Sequence, residues 1–304
     1  MGHPTSRFPT TDDTRKLFSP GQKISLKPLN KHPEVSFTIC KLSTPVTKSV
    51  VMLAKPDSGD PEQVVIKIHD PRYLDERISV KPGRRSYPWN LATEQAAAIE
   101  RTKNPDLSKQ ELSHIMYSHR PEDLSGEDLA THNLFWEEHY YCIMVEDCES
   151  ELTAYQRLKD LQGSAIPRLI TAGQFLPPDE RAIQPPALVL EYVPSVSLYD
   201  VPFDAITPAI REQVLSAIES FPSYGVLHND ITLTNIHFTP PENPVKGIVL
   251  VLDFGLARIR GEGDTEEVWT DHGASDVWWA RRLLEDKDFR EPAYELEGRV
   301  SRFT

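Results

Sequence analysis

The sequence has few cysteines, no long apolar run and no basic stripe, and each absence removes a class of protein. Cys40, Cys142 and Cys148 are its three cysteines, and they show neither a C-x-x-C motif nor a zinc-ligand spacing. We therefore expect free thiols in a reducing compartment. No segment approaches the ~18 apolar residues of a membrane span, and the N-terminus lacks the apolar run of a signal peptide. These features favour a cytoplasmic protein with no membrane partner.

The charge balance argues against nucleic acid as a partner. The net charge is −13 at pH 7, and the basic group Gly83–Arg85 is too short to form a binding stripe. The opening "MGHPTS" fits a loose myristoylation pattern. Pro4 and the lack of a polybasic neighbour favour a chance match, so modification of Gly2 stays an open question.

The first half of the chain favours strands. With 304 residues, the chain is long enough for one large domain or two lobes. Residues 1–31 are polar and rich in proline, which predicts a flexible N-terminal arm. The segments "VSFTICKLST", "KSVVMLAKP" and "EQVVIKIHD" then alternate or run apolar as strands do. Their order predicts an antiparallel sheet.

A less regular insertion follows at about residues 70–133. Its composition predicts a helix over Thr93–Arg101. After it, "EEHYYCIMVED" is typical of a strand, and "CESELTAYQRLKDLQG" predicts an amphipathic helix that Gly163 and Pro167 terminate. The insertion has three open interpretations: it caps a cleft, it docks a partner, or it shields a sheet edge.

The second half favours helices and a polar loop. "PALVLEYVP" predicts a strand, and "ITPAIREQVLSAIESF" predicts a helix with Thr207 as its N-cap. "GIVLVLDFG" reads as a strand, and the acidic tail contains a helix candidate, "SDVWWARRLLED". We expect an α+β chain with two lobes, at residues 32–193 and 194–304.

The stretch "VLHNDITLTNIHF" places polar groups among apolar ones, which is costly unless those groups are bonded or functional. It contains His228-x-Asp230-x-x-x-x-Asn235, and the sequence Asp253-Phe254-Gly255 follows. Both patterns resemble the catalytic loop and the metal loop of the protein-kinase superfamily. "VVIKI", with Lys67, and "LVLEYVP" resemble its strand lysine and its hinge. The resemblance implies a bilobal fold, with an N-lobe made of an antiparallel sheet plus one main helix and a short, mainly helical C-lobe.

The resemblance also implies ATP and Mg²⁺ as cofactors. Asn235 and Asp253 would bind the magnesium ion through hard oxygen ligands. Lys67 would neutralise the inner phosphates, and Asp230 would accept or align the proton of the attacking hydroxyl. We expect His228 to brace the loop.

Three further residues complete the implied site. Glu151, near the start of the amphipathic helix, would orient Lys67, with Glu149 as a rival for that role. Main-chain groups of Glu191 and Val193 would bond the adenine edge.

The sequence also departs from the family. "KLSTPVTKSV" holds no glycine where a glycine-rich phosphate loop is expected, Asn229 replaces the arginine of H-R-D, and no A-P-E follows Gly255. The outline is therefore closer to aminoglycoside phosphotransferases and small-molecule kinases. "KIHDPRYLDER", "YPWNLATEQAAA" and "ESELTAYQRLKDLQGSAIPRL" resemble kinase-like proteins of filamentous fungi.

Two functions fit this sequence. The first is an ATP-dependent phosphotransferase that acts on a hydroxyl of a small molecule or a protein. The second is a pseudokinase that binds nucleotide or serves as a scaffold. The missing glycine loop favours the second, whereas intact Lys67, Asp230, Asn235 and Asp253 favour the first.

Overall fold

Six strands of the chain close into a barrel. The computed structural model describes residues 16–30, 32–44, 46, 48–74, 77, 87–104, 124–243 and 247–290. The barrel order is β1-β2-β3-β4-β6-β5. The strands are β1 (Lys23–Pro28), β2 (Val35–Leu42), β3 (Val50–Pro56), β4 (Val64–Ile68), β5 (Leu169–Leu176) and β6 (Pro186–Glu191).

The strands form where apolar residues alternate with polar ones. Ile24 and Leu26 of β1 are buried while their neighbours are partly or fully exposed, and Phe37 and Ile39 repeat this pattern on β2. Because successive strand side chains point to opposite faces, one apolar face per strand is enough to build the barrel core. β1 and β2 pair antiparallel, as do β2 and β3.

The closure of the sheet corrects two expectations. Residues 23–28, predicted to lie in the flexible arm, form β1, which pairs antiparallel with β5. The predicted antiparallel sheet closes into a barrel, and full closure leaves no edge strand to shield. The rest of the predicted arm, residues 1–15 and 31, lies outside the described residues.

Two helices follow the barrel strand β4. The first, α1 (Leu91–Lys103), confirms the helix predicted over Thr93–Arg101; its N-cap Asn90 accepts a hydrogen bond from the Thr93 N–H at 2.8 Å. The second, α2 (Gly126–Arg157), is 32 residues long. It includes "EEHYYCIMVED", so the predicted strand there is wrong. Residues 105–123 of the predicted insertion lie outside the described residues.

Charged side chains from three chain segments meet in what we call the Arg181 network. The Arg181 guanidinium contacts Glu94 Oε2 at 2.6 Å and Asp70 Oδ2 at 3.2 Å. Arg72 contacts Asp70 at 2.7 Å and Asp179 at 2.9 Å. The network joins the turn after β4, α1 and the β5–β6 connection. Its members are Asp70, Arg72, Glu94, Asp179 and Arg181.

The later part of the chain combines two helices with five short strands. Helix α3 (Pro208–Ser220) begins as expected, with the Thr207 hydroxyl accepting from the Ile210 N–H at 3.3 Å. Helix α4 (Glu266–Glu285) starts at the N-cap Thr265. β7, β9 and β10 form one small sheet and β8 pairs with β11. The strands are β7 (Val196–Ser197), β8 (Val226–Leu227), β9 (Ile236–Thr239), β10 (Ile248–Val251) and β11 (Arg258–Ile259).

The described residues group into two compact units. The first comprises those within Met1–Glu62, Ile66–Glu146 and Ala172–Ala187. The second comprises those within Gln63–Val65, Asp147–Thr171 and Leu188–Thr304. The Arg181 network lies in the first unit. The second contains Glu151, the polar loop after β8 and the residues after β10.

Candidate functional site

The β9–β10 hairpin brings the two sequence motifs to one end of the small sheet. Its antiparallel register pairs Ile236 with Val251. The residues just outside this pair, Asn235 and Leu252, are therefore neighbours, and the Leu252 N–H donates to the Asn235 carbonyl at 2.8 Å. Asp253 follows directly, so the hairpin places the H-x-D-x-x-x-x-N loop beside the D-F-G turn.

His228 ties the same two segments together, which confirms its predicted bracing role. The side chain is buried, and its Nδ1 accepts from the Asp230 N–H at 3.2 Å. A ring nitrogen that accepts carries no proton, so Nε2 is the donor to the Leu252 carbonyl at 2.9 Å. Both backbone groups of Leu252 are therefore held by the loop.

Asn235 and Asp230 are bonded to each other. The Asn235 amide nitrogen donates to the Asp230 carbonyl at 2.9 Å and to Asp230 Oδ2 at 3.0 Å. Both amide hydrogens are used in this way, so Oδ1 is the Asn235 atom that remains as a ligand. Amide oxygens such as Asn235 Oδ1 and carboxylate oxygens are the types of ligand that Mg²⁺ prefers.

Two residues of the site adopt the left-handed backbone conformation. Asn229 has φ 59° and Asp253 has φ 64°, a region that non-glycine residues seldom occupy. Asp253 Oδ1 accepts from the Gly255 N–H at 3.2 Å, which closes a tight turn. The next side chain, Phe254, is fully buried and packs on His228 with 4.8 Å between ring centroids. The turn is therefore anchored on both sides of Asp253.

Asp276 of α4 is a site residue that the sequence analysis missed. Its two carboxylate oxygens accept from the His228 N–H at 2.6 Å and the Asn229 N–H at 2.9 Å. Burial raises the pKa of Asp276, although the His228 side chain and these two N–H groups act in the opposite direction. A sequence signal existed, because Trp269, Gly273, Asp276 and Ala280 repeat at helical spacing on the buried face of α4.

We use the name loop cluster for His228, Asp230, Asn235, Asp253 and Asp276. All five lie in the second unit.

The predicted lysine and glutamate lie in different units. Lys67 is on β4, in the first unit, with 6% of its surface exposed. Glu151 is on α2, in the second unit, and is fully buried, whereas Glu149 is exposed. Burial favours Glu151 over its rival, since a carboxylate removed from water needs a specific partner. The pairing of Lys67 with Glu151 stays a prediction from the sequence.

The predicted hinge residues lie at the end of β6 and just after it. The Glu191 N–H donates to the Arg168 carbonyl at 2.8 Å, so only the Glu191 carbonyl is left on its main chain for a ligand. The Glu191 side chain accepts from the Arg168 N–H at 3.1 Å and from its guanidinium at 2.7 Å. Val193 lies two residues further on and is half-buried.

Among the residues described, no helix is long and apolar enough to cross a bilayer. Within that same part of the chain, no group of three or more His, Cys, Asp or Glu side chains is arranged to hold a metal ion. A magnesium ion in the loop cluster would therefore have Asp253 and Asn235 as protein ligands, with its other positions filled by water or phosphate oxygens. Mg²⁺ sites in phosphate-binding enzymes are commonly built in this way.

Part of the chain is similar to a known kinase. No family model matches it. Serine/threonine-protein kinase 1 of Lymantria dispar multicapsid nuclear polyhedrosis virus is 27% identical over 116 residues, which cover 32% of this chain and 40% of the viral protein. The chain thus matches less than half the length of this relative. The match supports the resemblance to the protein-kinase-like superfamily that the sequence motifs carry.

Solved kinase structures show a distant likeness. The Rio2 kinase of Chaetomium thermophilum in an ADP/Mg²⁺-phosphoaspartate complex gives a TM-score of 0.43 at 15% identity, covering 84% of this chain and 61% of that one. The PknI kinase domain of Mycobacterium tuberculosis, solved as a point mutant, gives 0.40 at 14% identity, covering 82% and 73%.

Proposed function

We propose that this chain is an ATP-dependent phosphotransferase that transfers the γ-phosphoryl group to a hydroxyl. Asp230 accepts or aligns the proton of that hydroxyl. Asn235 and Asp253 hold Mg²⁺, which supplies charge neutralisation on the phosphates. Phosphoryl transfer needs charge placement more than covalent help, so oriented carboxylates and a cation are the parts that matter.

The main support is the double attachment of Leu252. Its N–H is bonded to Asn235 and its carbonyl to His228, which fixes the residue before Asp253 against the loop that carries Asp230. The proton acceptor and the two proposed metal ligands thereby lie on two segments that are hydrogen-bonded to each other. A loop that served only to connect strands would not need two buried hydrogen bonds at this position.

Lys67 and Glu151 complete the proposed nucleotide site. Lys67 would neutralise the inner phosphates and Glu151 would orient its ammonium group. The Glu191 carbonyl and the Val193 main chain would contact the adenine. The burial of Lys67 and Glu151 supports these roles, because charged side chains are seldom buried without a partner.

The connection after Asp253 favours a small acceptor or a limited protein substrate. Only a short segment separates Gly255 from α4 at Glu266, and it is pinned by β11 and by an ion pair between Arg258 and Asp264. The Gly261 N–H donates to Asp264 Oδ2 at 2.8 Å and closes the turn. Such a short, bonded segment offers little surface on which to lay an extended peptide.

The setting that we propose for this enzyme is the cytoplasm. Cys40, Cys142 and Cys148 are all thiols and form no disulfide, in keeping with a reducing compartment. The net charge of −13 argues against a nucleic-acid partner.

A nucleotide-binding pseudokinase is the alternative. The connection from β2 to β3, "KLSTPVTKSV", contains no glycine, so main-chain N–H groups there approach phosphates less easily. Binding without turnover would follow if the phosphates were held too loosely for transfer.

Thermal unfolding with nucleotide tests the proposal. We expect the melting temperature with MgATP to be well above the melting temperature with ATP and EDTA, because a ligand that binds only the folded state stabilises it. Asp253→Asn should remove the difference between the two conditions. Equal shifts in the wild-type protein would contradict the metal site.

Turnover separates the enzyme from the pseudokinase. ATP consumption with a metabolite extract should be measurable for the wild type and largely lost in Asp230→Asn, which should still bind MgATP. MgATP binding without any consumption, across protein and small-molecule acceptors, would favour the scaffold.

A further inference from the structure

Tyr155 carries a buried hydroxyl that its surroundings do not explain. The side chain is fully buried on α2, one helical turn after Glu151. Within the described residues, its Oη has no hydrogen-bond partner. A buried hydroxyl without a partner destabilises a protein, so a hydrogen bond formed when a ligand binds would relieve that cost.

The phenol ring is fixed beside the D-F-G turn. It packs edge-on against Phe254, with 5.5 Å between the ring centroids and an interplanar angle of 70°. Phe254 is the residue directly after Asp253, and it is anchored in turn on His228 and Phe221. The hydroxyl therefore has little freedom to move away from this turn.

The environment keeps the hydroxyl protonated. Burial, then the Glu151 carboxylate, then the Asp253 carboxylate raise the pKa of Tyr155 well above its usual value of 10. The hydroxyl is thus a hydrogen-bond donor, and the contact with Phe254 holds its ring beside the residue that follows Asp253.

We propose that Tyr155 is a positioning residue for Asp253: when a divalent cation is bound, its hydroxyl donates a hydrogen bond to the Asp253 carboxylate, directly or through one water. This inference rests on the proposed function, since it assumes that Asp253 is a metal ligand. Donors that orient a metal-binding carboxylate commonly affect metal affinity about 10- to 100-fold.

Asp253 is a better acceptor for this hydroxyl than Glu151. Glu151 and Tyr155 are four residues apart on one helix, so the helix fixes their spacing, and the hydroxyl is unbonded at that spacing. Asp253 instead lies on a turn, and its carboxylate is free of the fixed helical spacing that separates Glu151 from Tyr155. Cation binding is therefore the event that supplies the missing acceptor.

The test is a Mg²⁺ titration at fixed, saturating ADP, followed by thermal unfolding. Tyr155→Phe removes the hydroxyl and keeps the ring on Phe254. We expect the Mg²⁺ half-saturation concentration of Tyr155→Phe to rise about 10-fold. The increase in melting temperature that ADP causes in EDTA should be unchanged. Tyr224→Phe, the same deletion outside the loop cluster, should match the wild type.

The ligand-free melting temperature supplies the second readout. Since the hydroxyl is unbonded without ligand, Tyr155→Phe should melt at the same temperature as the wild type or slightly higher. An unchanged Mg²⁺ midpoint, or a ligand-free melting temperature several degrees lower, would overturn the assignment to Asp253. A wild-type protein that shows no Mg²⁺-dependent shift would instead refute the proposed function itself.

Discussion

The Arg181 network and the loop cluster both contain buried carboxylates, but these carboxylates have different partners. In the network, guanidinium groups contact the buried carboxylates of Asp70 and Glu94 at 2.6–3.2 Å. In the loop cluster, Asp276 accepts from two main-chain N–H groups, and Asp230 accepts from the Asn235 amide. Cationic donors cancel the charge of a carboxylate, whereas neutral donors only orient it.

This difference separates a structural cluster from a functional one. The network pairs two guanidinium groups with three carboxylates and joins segments far apart in the chain, so its role is to hold the first unit together. The loop cluster adds left-handed backbone at Asn229 and Asp253, which costs free energy. The oriented carboxylates of this strained and well-anchored loop suit the Mg²⁺ ion that we propose for it.

Removing one cation from the network should have the largest effect. Arg181→Ala leaves the carboxylates of Asp70 and Glu94 buried without this partner, and we expect the free energy of unfolding to fall by about 3–5 kcal/mol. Urea denaturation measures the change. Lys103→Ala is the matched control, because Lys103 makes an exposed ion pair with Glu100 at 3.1 Å and should change stability little. Similar losses in the two variants would remove the distinction between a buried network and an ordinary surface pair.

Removing Asp276, which anchors the loop cluster, should lower stability less than Arg181→Ala does and should impair Mg²⁺ binding more. Asp276→Ala leaves the N–H groups of His228 and Asn229 without their acceptors. We expect a loss of about 1–3 kcal/mol, which comes mainly from the buried His228 N–H because the exposed Asn229 can bond to water. We also expect the Mg²⁺-dependent thermal shift with ADP to disappear, because the loop that carries Asn235 loses its support.

Two variants sharpen this prediction. Asp276→Asn keeps one side-chain oxygen as an acceptor and should lose about half as much stability. Asp271→Ala, an exposed acid on the same helix, should match the wild type. A full Mg²⁺ response in Asp276→Ala would show that the cluster holds its shape without α4.

The two regions were also unequal in what the sequence predicts. Most residues of the loop cluster could be predicted from the sequence, because those from His228 to Asn235 are close in the chain and follow the fixed spacing of a motif. Asp276 was the exception, since it lies on a helix in a segment that looks like an acidic tail. The Arg181 network could not be predicted from the sequence, because Asp70 and Arg181 are 111 residues apart and Arg181 lies in a proline-rich connection.

Errors of local structure had a similar origin. "EEHYYCIMVED" has the aromatic and β-branched residues of a strand, yet the buried residues Tyr140, Met144, Cys148 and Glu151 continue a helical period through it. Tertiary burial on one face outweighs local propensity over a long helix. β1 was missed because a single short strand among polar residues gives no signal until β5 pairs with it.

Acid should weaken the network in a way that identifies Asp70. Burial alone would raise the pKa of Asp70, but the charges of Arg72 and Arg181 and their hydrogen bonds lower it below its usual 3.8. A carboxyl group whose pKa is lower in the folded protein contributes stability above pH 3.8, and that stability is lost as the pH falls through the folded-state value.

The free energy of unfolding of the wild type should therefore fall as the pH is lowered below about 4, by at most about 1.4 kcal/mol per pH unit from this single group. Asp70→Asn should show a shallower slope over the same range, although it is less stable at neutral pH because two guanidinium groups lose their counter-charge. Urea denaturation at several pH values measures both slopes. Parallel slopes would mean that Asp70 has the same pKa in the folded and unfolded chains, and the network would then owe its stability to packing and hydrogen bonds instead of ion pairing.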